Sequence, residues 1–171
     1  SYTSAYYTVG TSVAVKLQVI VLATPPESEI AGKPPYDEPY GAGGKTEIAT
    51  IQGTAGQAFY VRVNGVDRYW NKVTGSAANV KLTTTDPYSP MPSNQSLVNG
   101  TTSFLITLRS ATDTGWTITS ADEDTSPLGS YTSTLIKVNA ASATKLQVLV
   151  PNEYNIGGAP TGKGGSVQVS T

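Results

Sequence analysis

The 171-residue chain contains no cysteine and no histidine. The first absence rules out disulfides and thiol nucleophiles. The second removes imidazole bases, every His-based triad and, with the first, zinc sites of the finger type. Charge is scarce as well: 13% of residues carry it, and they nearly cancel to a net −1. Ordinary globular chains are about 25% charged. So neutral a surface offers no electrostatic footprint for nucleic acid or an anionic membrane, and neither is an expected partner. No apolar run reaches the roughly 18 residues of a membrane helix. The opening "SYTSAYYTVG" has neither the basic start nor the apolar core of a signal peptide. Thr, Ser, Gly, Val and Tyr take the place of charge, a composition common in secreted and surface β proteins. An extracellular or cell-surface location is therefore expected.

What the chain does have is alternation. "KLQVIV" sets Leu17, Val19 and Val21 on one face and Gln18 on the other. "AFYVRVNGV" sets Phe59, Val61 and Val63 against Tyr60, Arg62 and Asn64, and "SFLITLR" aligns Phe104, Ile106 and Leu108. Val80 with Leu82, Trp116 with Ile118, and Ile136 with Val138 follow the same rule, as do Leu146, Val148 and Val150 in "KLQVLV". Period-2 patterns in β-branched and aromatic residues mark half-buried strands. No window reads as an amphipathic helix. Short strands divided by turn signals such as "NG", "TG" and "DP" predict an all-β fold, an immunoglobulin-like antiparallel β-sandwich.

The two ends of the chain resemble each other. Eleven of the 22 positions from 1 to 22 match their counterparts in 130–151 without a gap, and "KLQV" recurs 129 residues after its first appearance. Each copy is followed by a Pro/Gly-rich stretch, residues 23–45 and 151–165. Loops beyond about 12–15 residues are usually functional or mobile. Residues 1–15 are expected to be the last strand of a preceding repeat. Residues 16–144 form a complete repeat, and 145–171 hold the first strands of a following one. Strands of flanking repeats thus border the central sandwich.

Within the central copy, "FYVRVNGVDRYWNKVTGSAANVKLTTTD" resembles the bacterial immunoglobulin-like repeats of invasin- and intimin-type adhesins. Those repeats often read V-x-A-x-D-x-x-G-N-x-V followed by a V-x-L strand. The matching residues are Val63, Asp67, Asn71, Val73, Val80 and Leu82, while Trp70 stands where Gly is usual. "KLQVLVP" and "LVNGTTSFLITL" look like long repeats of very large secreted bacterial proteins. The resemblance spans roughly residues 45–150, and it implies a surface-exposed tandem module.

Several residues are candidates for chemistry. Asp67 and Asn71 bracket a turn whose backbone amides Asx side chains can bind. Asp122, Glu123 and Asp124 cluster in "SADEDTSPLG", with Asp67, Asp86 and Asp113 at other strand ends. Calcium, which takes six to eight oxygens, is the candidate ion for Asp122–Asp124, and no other cofactor is expected. Trp116 is in phase with the core, whereas Trp70 occupies a turn and is the candidate for an exposed ligand contact. Asn94 in "NQS" and Asn99 in "NGT" fit the glycosylation sequon. Tyr2, Tyr6, Tyr7, Tyr36, Tyr40 and Tyr154 lie in end segments and long loops, where tyrosine suits interfaces. Repeat-junction or strand-exchange contacts are expected of Tyr2, Leu17, Val19, Val21, Tyr131, Leu146, Val148 and Val150. Glu27/Glu29 and Asp37/Glu38 are paired carboxylates, but they sit in a Pro-rich loop that predicts no fixed separation, and hydrolysis needs one.

These features lead to a non-enzymatic structural module. Its partners would be neighbouring copies, joined in tandem or by β-strand complementation into a surface fibre or filament. The alternative is an adhesin domain gripping a glycan or a host receptor through Tyr and Trp.

Overall fold

A computed structural model of the chain describes residue 10 and residues 13–22 and 51–166. Among them are twelve strands and no helix. They are β1 (Lys16–Leu22), β2 (Ile51–Thr54), β3 (Ala58–Val66), β4 (Asn79–Thr84), β5 (Gln95–Ser96) and β6 (Thr101–Thr107), followed by β7 (Thr112–Trp116), β8 (Ile118–Asp122), β9 (Tyr131–Thr132), β10 (Ile136–Asn139), β11 (Glu153–Asn155) and β12 (Lys163–Gly165).

One layer is the antiparallel sheet β1-β3-β6. The other is built from β5-β4-β8-β9 and from β2-β10-β7. Only Thr117 separates β7 from β8, and Ser133–Leu135 separate β9 from β10, so the chain passes twice between these two sheets. Strand β2 runs parallel to β10, while β7 runs antiparallel to it. The alternating residues meet between the layers. Leu17, Val19, Val61, Val63, Phe104 and Ile106 pack with Val80, Leu82, Ile118, Ile136 and Val138 in one buried cluster. Each such side chain contributes about 1.5–3 kcal/mol on burial. The fold is therefore the expected all-β sandwich, with its core drawn from the strand faces that alternation marked.

A turn signal is realised at Asn99–Gly100. Both residues have positive φ, 53° and 75°, and they link Val98 to Thr101 as a two-residue hairpin. That is the geometry for which an Asn-Gly pair is preferred. A side chain at Gly100 would collide with the Val73 carbonyl, so glycine is required there for space as well.

Two expectations of alternation fail. Gln18 and Asn64, assigned to the polar face, are both buried. They are tolerated because Asn64 Nδ2 donates to Gln18 Oε1 at 3.1 Å and Thr101 Oγ1 donates to Asn64 Oδ1 at 2.7 Å. A buried polar group is costly only when it lacks such partners. The second failure is "KLQVLV", which forms no strand.

Candidate functional site

The repeated hexapeptide lies in two environments. In its first copy it is β1, paired with β3 from Lys16 opposite Val66 to Leu22 opposite Tyr60. Leu17 and Val19 are fully buried and Val21 nearly so, which places them in this sandwich's own core. The start of the strand is held on its other edge too. The Leu17 N–H donates to the Gly129 carbonyl at 2.8 Å, and the Gly129 N–H donates to Val15 at 2.9 Å. Lys16 Nζ donates to the Arg68 carbonyl at 3.2 Å and lies 3.4 Å from the centre of the Trp70 ring. Trp70 in turn meets Tyr131 edge to face, with ring centres 5.3 Å apart. The slot that holds β1 thus reads Lys, Gln and alternating apolar side chains together.

In the second copy the same side chains lie in solvent. Leu146 is 100% exposed and Val148 77%, with Leu149 and Val150 at 42% and 39%. Among the described residues the segment has no strand partner. Gln147 Nε2 donates to the Gly162 carbonyl at 2.9 Å, and the Val150 N–H donates to Glu153 Oε2 at 3.1 Å. The partner of the first copy, β3, begins 42 residues after Lys16, and no described strand beyond Lys145 pairs with the second copy. The β11–β12 hairpin beside the segment is tied by Lys163 Nζ, 2.7 Å from Glu153 Oε1. The hydrogen bond from Lys163, with that from the Val150 amide, holds the Glu153 carboxyl below its usual range. The open depression between segment and hairpin has Lys145 and Lys163 as its ionisable lining and no carboxylate.

Trp70 corrects an expectation. It stands in the Asp67–Asn71 turn but is only 5% exposed, so it is not a free ligand platform. Its φ of 70° turns the indole back beneath Lys16 and onto Tyr131. Buried Asp67 holds that shape: Oδ1 accepts the Tyr69 and Asn71 N–H groups at 2.9 Å each, the Asx role expected of it. Trp70→Ala is expected to destabilise the sandwich by about 3 kcal/mol. Urea unfolding checks this; a residue serving only as a surface contact would leave the midpoint unchanged.

The acidic cluster is likewise occupied with structure. Asp122 accepts the Asp124 and Leu128 amides at 3.1 and 3.0 Å, and Asp124 accepts the Asn79 amide at 3.2 Å. Glu123 points to Lys81 at 3.4 Å. The three carboxylates therefore do not converge on a point, and no group of three acidic side chains among the described residues is arranged to hold a metal ion. Trp116 packs against the core, as its phase implied, and its Nε1 donates to the Ser110 carbonyl at 2.7 Å. Asn94 and Asn99 are exposed. Tyr154 is 59% exposed. Tyr2, Tyr6, Tyr7, Glu27, Glu29, Tyr36, Asp37, Glu38 and Tyr40 lie outside the described residues.

Asp86 has a role that strand-end position alone did not reveal. It is buried, and it accepts from Tyr88 N, Ser89 Oγ, Arg109 N, Ser110 N and Ser110 Oγ. One carboxylate thereby clamps the turn after β4 to the turn after β6. The "DPYS" spelling, an Asp-Pro turn with Ser three residues on, is the signal that could have found half of this.

Among the described residues no helix is long and apolar enough to cross a membrane. Comparison with known protein families, curated proteins and solved structures finds no match to the chain. Its class rests on its own geometry: an all-β sandwich followed by a duplicate of its first strand that pairs with no strand among the described residues.

Proposed function

We propose that this chain is a structural, non-enzymatic module of an extracellular fibre or filament, built by repeating an immunoglobulin-like sandwich with a period of 129 residues. The observation that carries the reading is the duplicated "KLQV": a sandwich begins at the first copy, and its last core strand, β10, ends six residues before the second. The parallel β2–β10 pair, with β1-β3-β6 facing β5-β4-β8-β9, supports the immunoglobulin-like assignment. Likeness to the invasin- and intimin-type repeats supports a bacterial surface. Stacked units of this kind gain stability from each core and from each junction, so length is added without new chemistry.

The adhesin alternative has lost its main residue, since Trp70 is buried. Among the described tyrosines, Tyr60, Tyr69 and Tyr154 are exposed and are its candidate glycan contacts. Two measurements test the preferred reading. Antibody to the sandwich should label intact source cells without permeabilisation, and a glycan array should show no binding that Tyr69→Ala or Tyr154→Ala abolishes. Labelling only after permeabilisation, or glycan binding lost in either variant, would contradict it.

A further inference from the structure

We infer that Lys145–Val150 of one copy is a donor strand for the β1 slot of a second copy, entering beside β3 whenever that slot is open. The inference rests on the repeat reading and adds the partner, the strand and the register. The structure already shows where this sequence docks, because β1 differs from the segment at a single position of the six, Ile20 against Leu149. That residue sits on the more exposed side of the strand and tolerates the change.

Transferring the observed register sets Leu146 opposite Gly65, Gln147 opposite Asn64, Val148 opposite Val63 and Val150 opposite Val61. Three features fix it. Lys145 takes the place of Lys16 over Trp70. Gln147 takes that of Gln18, whose amide oxygen accepts from buried Asn64. The apolar alternation does the rest, since a slip of one residue would turn every Val outward and leave Asn64 facing a methyl group. Pro151 stands where β1 has Leu22, and having no N–H it ends the ladder at Val150. Docking covers Leu146, Val148 and Val150, which are otherwise exposed, and satisfies an edge that would pair promiscuously. In an intact chain the tethered β1 competes from within, so exchange follows release or weakening of β1. This is strand addition with a copy of the same chain as partner.

The test uses the full chain carrying Val19→Asp, which disables β1, and a synthetic peptide of sequence ATKLQVLVP (residues 143–151). The peptide is expected to bind one per chain and raise the melting midpoint by several degrees, while the same peptide with Val148→Asp does nothing. Should Val19→Asp fail to fold under all conditions, full-length Val19→Ala carries the same comparison with a milder loss. No shift with the natural peptide on either variant, or equal shifts with both peptides, overturns the inference. Either failure would leave the cell-surface labelling result untouched, so the scaffold reading is judged separately.

Discussion

In dilute solution Val19→Asp sharply lowers the melting midpoint of the sandwich, whereas Val148→Asp leaves the transition where it was. The two residues occupy the same place in the same local sequence. Val19 is fully buried between β3 and the opposing layer, and Val148 is 77% exposed. An aspartate at position 19 removes the apolar contribution and buries an unpaired carboxylate, a loss of about 4 kcal/mol or more. Domains of this kind are stable by only about 5–15 kcal/mol, so the folded population falls steeply. At position 148 the new charge stays in water and costs nothing in the monomer. Circular dichroism melts of the two variants side by side check the contrast. Equal losses would mean that residues 145–150 belong to the same core as β1.

The second large effect concerns acid. Burial of Asp86 opposes its ionisation, but hydrogen bonds from Ser89, from the Ser110 hydroxyl and amide, and from the Arg109 amide outweigh it. They lower the pKa from 3.8 to about 2. A carboxylate depressed in the folded state contributes stability above its unfolded pKa and loses it as pH falls through the folded value. The wild type should therefore lose about 2 kcal/mol from this group between roughly pH 4 and pH 2. Asp86→Asn should be weaker at neutral pH by a similar amount and should show a shallower acid slope, because it has no proton to take up there. Denaturant titrations across that range measure both slopes. Parallel curves for wild type and variant would contradict the clamp.

The core was legible in the sequence because alternation is a local code: Val61, Val63, Phe104, Ile106, Val80 and Leu82 all point where period-2 reading places them. Pairing across the chain was not. Gln18 and Asn64 each read as polar and outward; their mutual hydrogen bond, between residues 46 apart, and the one from Thr101 to Asn64 let both fit inside. Trp70 read as exposed because turns are usually exposed, and its left-handed φ together with the Lys16 and Tyr131 contacts depends on residues distant in sequence. Asp122 and Asp124 show the same limit, since an acidic run says nothing about whether its oxygens face an ion or nearby amides. The duplicate at Lys145–Val150 was legible as a repeat, but alternation did not show that it lies exposed outside any described strand.

The equivalence of the two copies can be measured in a chain made of residues 1–150 followed directly by a second copy of residues 22–144. There the natural "KLQVLV" precedes a full set of partner strands. Hydrogen–deuterium exchange should show its amides, fast in the 171-residue chain, slowing to the rate of β1. If they stay fast while the added strands are protected, residues 145–150 do not begin a second sandwich, and the repeating-unit account is wrong.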